Sequence, residues 1–453
     1  MLGIVVSRAD SASVNIGEQL RTVTEWQQVT DESRPDAGGG GTVYRTDGAA
    51  IREFDEWHLR LDRPAEAFEN PDLLVFASRH SGDTGPLLTA HHTGNVGPAE
   101  HGGEDNELAR ACPNAHDAVL AAMREHAPEE YEVGMEGTHH GPSAVGAPSM
   151  FVEVGSAEPQ WADEAACRAA AKAILDLRGV DPDKPADGAD DSGNERRRHL
   201  VGFGGGHYTP RFERITRETD WAVGHVAVDW GLDAIESEAD RRAVVERAFE
   251  QSAAAYGLVE GSKPELVEII EEYGYRPVTE TWVRETDGVD LDLVAAVEEA
   301  VGTVEQGLRF GKQAQTHDDT AFTVDSLPEN LIDEVCGIDR ETVYERIDEA
   351  TVAFQTEQGG TRPTGTVVLA DEDREAIIDD LADLLTERYD EIEHRGDRIV
   401  ARTERFDPEK AETFGLSEGP AFGRLASGEA VEVDGRTIPP EEVRTEREVE
   451  FEL

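Results

Sequence analysis

Ten of the fourteen histidines lie between positions 80 and 207. Four motifs hold seven of them: ASRHSGDTGPLLTAHHTGN with His80, His91 and His92; EHGGED with His101; EGTHHGPS with His139 and His140; and GFGGGHYTPR with His207. Near pH 7 an imidazole can act as base, acid, hydrogen-bond donor or neutral metal ligand. Carboxylates stand close by in Asp83, Glu136 and Glu153. A catalytic zinc ion usually takes three protein ligands and keeps one position open, and this crowd could supply such a set. No HExxH helix occurs, so a metal is inferred from clustering alone. A single loop histidine is as often a plain hydrogen-bonding side chain; seven in one class of loop shift the balance.

In an extended segment neighbouring side chains point to opposite faces. One member of His91-His92, and one of His139-His140, is therefore expected to face a site while the other packs beneath it. The glycine run 204–206 would let backbone N–H groups approach a phosphate or a developing oxyanion, although such a turn is at least as often a tight bend. Arg79 and Arg211 adjoin His80 and this turn and are candidates for phosphate contact. No GxSxG elbow is present and no cysteine sits in a histidine motif, so covalent acyl-enzyme chemistry lacks a clear candidate, Ser78, Ser81 and Ser143 being open without a motif to support them. Activation of water is the simpler expectation.

Something must position these loops. From residue 1 to about 285 short apolar runs (LGIVVS, DLLVFAS, PLLTAHH, YEVGMEG, SMFVEVG, HLVGFGG, AYGLVEG, RPVTETWV) alternate with helical patterns near 113–126 and 158–178. This predicts an α/β domain with a mixed, mainly parallel sheet and helices on both faces. Ligands of such sheets gather at the carboxyl ends of strands, where the histidine motifs fall. Segments 31–42 and 181–198 are too polar and too rich in Gly, Pro and Asp to pack and read as surface loops. Beyond 285 the pattern turns mostly helical, near 290–308, 340–355 and 371–389, and Asp434-Gly435 in an alternating run signals a hairpin. A smaller α+β domain over 286–453 is expected, with no internal repeat.

Acidic residues number 97 against 42 basic, a net charge of -55, and only five of the basic residues are lysine. Such a surface stays solvated in concentrated salt, the style of salt-in halophilic archaea. At about 1 M salt the Debye length falls to roughly 3 Å, so the charge does not exclude RNA as a partner. Three scattered cysteines suggest neither a disulfide framework nor a thiolate zinc site. With no 18-residue apolar stretch and no basic leader, a cytoplasmic, unexported protein is the expectation.

Taken together, VVSRADSASVNI (5–16), FASRHSGDTGPLLTAHHTGNVGPAEHGG (76–103), EGTHHGPS running into PSMFVEVGSAEPQW (136–161), GFGGGHYTPRF (202–212) and GHVAVDW (224–230) closely resemble the archaeal and plant type of D-aminoacyl-tRNA deacylase. Order and spacing agree over about 285 residues. The resemblance implies a fold like that of peptidyl-tRNA hydrolases and nucleoside phosphorylases. It also implies hydrolysis of the ester between a D-amino acid and the 3′-terminal ribose of tRNA. The cofactor implied is zinc, as many as two ions per subunit.

On these motifs the expected catalytic residues are His139, His140, His207, His80 and Glu136. Arg79, Gly204, Gly205, Gly206, Arg211, Thr93 and Asn95 are expected near the tRNA end, and His91, His92, His139 and His207 are the candidate ligands. The partner expected is D-aminoacyl-tRNA, bound at its 3′ acceptor end by a monomeric protein, with neither membrane nor DNA. Residues 286–453 have no counterpart in shorter archaeal members. Two other classes stay open: a zinc amidohydrolase or nucleoside-cleaving enzyme acting on small molecules, and a non-catalytic tRNA- or metal-binding protein.

Overall fold

The computed structural model describes residues 1–189, 195–317, 320–370, 374–433 and 435–453. The chain divides into two compact units, Met1–Gly288 and Val289–Leu453.

The first unit opens with β1 (Leu2–Ser7), whose LGIVVS side chains are all buried. Asp10 then caps α1 (Ser11–Val23) by accepting from the amides of Ala12 and Ser13, which satisfies donors that the first helical turn leaves free. β2 (Gln27–Asp31), β3 (Gly41–Thr46) and β4 (Ala49–Phe54) follow, then β5 (Leu73–Arg79), β6 (Leu87–His92), β7 (Glu132–Met135) and β8 (Ser149–Gly155). They form one eight-stranded sheet in the order β2-β3-β4-β1-β5-β8-β6-β7. β4, β1, β5 and β8 run parallel, while β6 lies antiparallel to β8 and parallel to β7. The strands β1, β6 and β8 are buried along their whole length, and β5 as far as Ser78, as expected of continuous apolar runs covered on both faces. α2 (Pro113–His126) starts at its proline, and a second predicted helix is split into α3 (Glu158–Trp161) and α4 (Glu164–Asp176), where Asp163 caps the restart.

The two polar segments are not wholly loops. Residue 31 and residues 41–42 belong to the paired strands β2 and β3. Ala186–Ala189 (β9) pairs with Glu195–Arg197 (β10), and residues 190–194 lie outside the described residues. Backbone pairing needs no apolar side chain, so composition alone does not reveal such a ribbon.

A second sheet combines β11 (His199–Phe203), β12 (Ala222–Ala227), β13 (Tyr256–Val259) and β14 (Arg276–Val278) in the order β12-β11-β13-β14, all parallel. The helices between them are α5 (Pro210–Glu218), α6 (Asp229–Asp233), α7 (Glu238–Ser252) and α8 (Pro264–Glu272). The expected strand RPVTETWV stops at Val278, because Thr279 caps a helix, α9 (Glu280–Glu285), by accepting from the Trp282 amide.

The two sheets are stitched together at one seam. The chain leaving β7 bridges to the segment after β11 at Glu136 and Tyr208. Gly137 N–H donates to His207 O at 2.9 Å, Thr138 N–H to Val226 O at 3.0 Å, and Thr209 N–H to Met135 O at 3.0 Å. α2 packs against both β6 and β12. The segments GTHH and GGH are thus laid side by side by backbone hydrogen bonds.

The second unit is α+β. One antiparallel sheet contains residues 308–310, 323–326, 353–357 and 362–369, and another contains 391–394, 398–406 and 444–452. The helix expected over 290–308 ends at Val301, where Gly302 adopts φ 134, a value that favours glycine. The one expected over 340–355 is the second half of Glu329–Ala350, broken at Asp339, and residues 353–357 are strand. The helix expected over 371–389 is described from Arg374, residues 371–373 lying outside the described residues. Val431–Val433 pairs with Arg436–Ile438 as a hairpin; Asp434 itself is outside the described residues. Among the described residues no helix is long and apolar enough to cross a membrane.

Candidate active site

The seam floors a cavity of about 390 Å³ lined by Trp57, His58, Ser78, Arg79, His80, His101, His139, His140, Glu153 and His207. Beneath it Phe76 and Phe151 stack at 4.8 Å, and the His91 ring lies flat on Phe151 at 5.0 Å. Close packing of this kind fixes ring orientation.

Three imidazoles converge at the floor. His91 Nδ1 faces His92 O at 2.9 Å, His139 Nδ1 faces Gly137 O at 2.8 Å, and His140 Nδ1 faces Gly141 O at 3.1 Å. A carbonyl only accepts, so each Nδ1 carries its proton and each Nε2 presents a lone pair. The donor atoms of the three rings lie within 4.8 Å of one another, and the buried His91 Nε2 has no hydrogen-bond partner. Burial, reinforced by its neighbours His140 and His91, keeps the His139 pKa well below that of a free imidazole; burial and His91 push His140 down to about 4. Both are therefore neutral near pH 7, the form a metal ligand needs.

Two carboxylates share this buried space. Glu136 has a side-chain exposure of 0% and stands 3.1 Å from His80 Nδ1, 3.0 Å from His207 Nε2 and 3.8 Å from His139 Nε2. Neither of its oxygens forms an aligned hydrogen bond, and Glu153 Oε1 is equally unsatisfied. Burial favours their protonation, but His207 and His80 hold Glu136, and His80 and His91 hold Glu153, below the ordinary carboxylate range. His80 is opposed by burial yet raised to about 11 by these two anions, and its Nε2 contacts Tyr208 OH at 2.9 Å. His80, Glu136 and His207 form a second group of potential ligands, and His91, Glu136 and Glu153 a third. Orphaned buried oxygens beside outward lone pairs fit a divalent cation, since each would otherwise cost about 1–3 kcal/mol unsatisfied.

Alternation within the first histidine pair separates its members. His92 points away from the cavity, its ring 4.5 Å from His116 and 5.5 Å from His225 and its Nδ1 facing Gly224 O at 3.0 Å, so it belongs to none of the three donor groups. In the second pair both rings line the cavity. Thr93 and Asn95 are buried and hold loops, Thr93 Oγ1 against Ser149 Oγ at 2.8 Å and Asn95 Nδ2 donating to Gly102 O at 2.8 Å. Arg211 is engaged with Glu280, its Nε 3.1 Å from Oε2. The amides of Gly204 and Gly205 are occupied by Ala227 O and Asp229 Oδ2, so these glycines make a bend rather than an anion cradle; of the run only Gly206 keeps a free amide among the described residues.

Reasoning from the sequence overlooked His58, Tyr208, His225 and the indoles Trp57 and Trp161. Tyr208 follows His207 directly, a signal that was available. His225 is fully buried, with Nδ1 accepting from Thr138 Oγ1 at 2.9 Å and Nε2 donating to Ala109 O at 2.8 Å; nothing local marks it out.

The profile of the D-aminoacyl-tRNA deacylase family matches residues 67–278, the span that carries every residue just described except Trp57, His58 and Glu280. The D-aminoacyl-tRNA deacylase of Haloarcula marismortui is 55% identical over 99% of this chain and 99% of its own. The chain belongs to the D-aminoacyl-tRNA deacylase family. The Natronomonas pharaonis deacylase is 50% identical over the full length of both chains, so the second unit is common to these family members. The crystal structure of a conserved protein of unknown function shares the fold, with a TM-score of 0.54 and 27% identity. It covers 63% of this chain and 98% of its own.

Proposed function

We propose that this chain hydrolyses the ester between a D-amino acid and the 3′-terminal ribose of tRNA, with Zn²⁺ held by His91, His139 and His140. One observation carries the reading: three imidazoles turn their lone pairs together beside two unsatisfied carboxylates, at the floor of a cavity open to solvent. Membership of the family supports the substrate. Three imidazoles suit zinc and leave a coordination position open, and burial already keeps His139 and His140 neutral. When bound, the ion supplies Lewis-acid chemistry, polarising the ester carbonyl and lowering the pKa of water.

The chain's own groups manage the proton. Glu136 is anionic and buried, so its Oε2 takes the proton of the attacking water. His207 Nε2, 3.0 Å away, relays that proton to the departing ribose oxygen; with 34% of its side chain exposed it reaches the cavity. His80, held as imidazolium between Glu136 and Glu153 and braced by Tyr208, fixes Glu136 in place. Three unpaired cysteines suit a reducing cytoplasm, where the enzyme acts as a monomer on the acceptor end.

The test is hydrolysis of matched D- and L-aminoacyl-tRNA by the full chain in molar KCl, with and without chelator. The D-ester should be cleaved far faster, and chelation should abolish turnover. Equal rates on both enantiomers would overturn the reading, and faster cleavage of small free esters would favour a small-molecule hydrolase.

A further inference from the structure

Arg79 closes β5 and lines the same cavity as His80, His139, His140 and His207. Its guanidinium lies between two indoles, 4.4 Å from the Trp57 ring centre and 4.8 Å from that of Trp161. Trp161 is held by its Nε1–H, which donates to His80 O at 2.8 Å. Asp10 fixes the strand end from below, accepting the Arg79 amide at 3.0 Å. Asp10 also accepts from the Ala12 and Ser13 amides. Many other arginines meet carboxylates, as Arg8 meets Asp36 and Arg52 meets Asp31, or donate to backbone carbonyls, as Arg178 does to Leu175 O. The Arg79 guanidinium has no hydrogen-bonded or ion-paired partner among the described residues, in a chain with 97 acidic side chains.

We propose that the Trp57-Arg79-Trp161 sandwich is the subsite for a phosphodiester of the single-stranded 3′ end of tRNA. This rests on the deacylase reading and deepens it. In an aminoacyl ester the amino acid's carboxyl is esterified, its amino group is cationic, and the terminal adenine and ribose are neutral. The anions nearest the scissile bond are therefore the phosphodiesters that join the last nucleosides. A cation one residue along the strand from His80 sits where such a group passes when the ester reaches the floor. The indole faces stack on the planar guanidinium and leave its N–H edge free for two parallel bonds to phosphate oxygens. Such a contact pair lies within the roughly 3 Å Debye length of molar salt, so it survives where long-range attraction does not. The acidic remainder of the surface leaves this cation to set the register of the strand.

The experiment compares two trinucleotides of the tRNA 3′ end (cytidine, cytidine, adenosine), one with natural phosphodiesters and one with neutral methylphosphonate linkages. Binding to the full-length protein and to its Arg79→Met and Arg79→Lys variants is followed in molar KCl by tryptophan fluorescence, with folding checked by circular dichroism. Neutralising the linkages should weaken wild-type binding about ten-fold or more, the scale of a charge-assisted hydrogen bond. Arg79→Met should lose less than about two-fold on the same change, and Arg79→Lys, which keeps the charge but not the plane, should fall between. An equal loss in wild type and Arg79→Met, or a wild type indifferent to the linkage, overturns the subsite. Should Arg79→Met not fold, the comparison rests on Arg79→Lys, for which a loss equal to wild type is the overturning result. The two readings fail separately: a protein that does not cleave D-aminoacyl-tRNA defeats the function, whereas one that cleaves it but ignores linkage charge defeats the subsite alone.

Discussion

Replacing His225 by Phe tests whether the second sheet holds the catalytic loop. The ring is fully buried and bridges Thr138 Oγ1 at 2.9 Å to Ala109 O at 2.8 Å. Phenylalanine fills a similar volume but satisfies neither group. Each stranded polar atom costs about 1–3 kcal/mol, so the seam should lose about 2–6 kcal/mol. Because the chain has two compact units, global unfolding would mix their contributions. The local readout is amide exchange at Gly137 and Thr138, whose N–H groups donate to His207 O and Val226 O. A loss of about 2 kcal/mol or more should accelerate their exchange by roughly 30-fold or more, and D-aminoacyl-tRNA hydrolysis should fall with it. A cycle with Thr138→Val should show coupling of about 0.5–3 kcal/mol, since the two side chains share one bond. Unchanged exchange with unchanged turnover would refute the role given to this histidine.

Other outcomes are equally definite. His91→Ala and His139→Ala each remove one lone pair from the floor, so the purified variants should retain less zinc by elemental assay and lose more than about 100-fold in rate; full zinc content in both would move the metal elsewhere. Glu136→Gln keeps the shape but not the base, and its turnover should drop by about 10²–10⁴ with unchanged circular dichroism; a near-normal rate removes Glu136 from the proton path. Acid should destabilise the first unit through His116 and His225, whose folded pKa values burial lowers to about 4. The unfolded chain, titrating near 6.5, then binds more protons between pH 6.5 and 4, so each residue withdraws up to about 3 kcal/mol as pH falls through that window. Denaturation midpoints that stay flat from pH 7 to 4 would contradict this.

The strands that carry the site were legible because they are continuous apolar runs, and the histidine motifs did fall at their ends. His92 illustrates the limit of pattern reading. Alternation shows that only one of two neighbours faces the site, but which one depends on the face that β8 and α2 cover. His139 and His140 escape the rule because the chain there turns off the sheet. The glycine run offered backbone donors, yet whether they are free depends on β12, which enters more than fifteen residues later. Trp57 and Trp161 flank Arg79 from positions 22 residues before and 82 residues after it, a distance that no local signal spans. His225 acts through Thr138, and that relation exists only once the sheets have met.

The seam between the sheets has a consequence for when the enzyme becomes active. The imidazoles at the floor come from β6 and the segment after β7, but that segment is fastened by carbonyls of His207 and Val226, and His207 itself arrives with the second sheet. A growing chain emerges from the ribosome amino terminus first, so it displays the histidine motifs of the first sheet before the partner that aligns them exists. The floor of the cavity is therefore complete only once both sheets have formed and met.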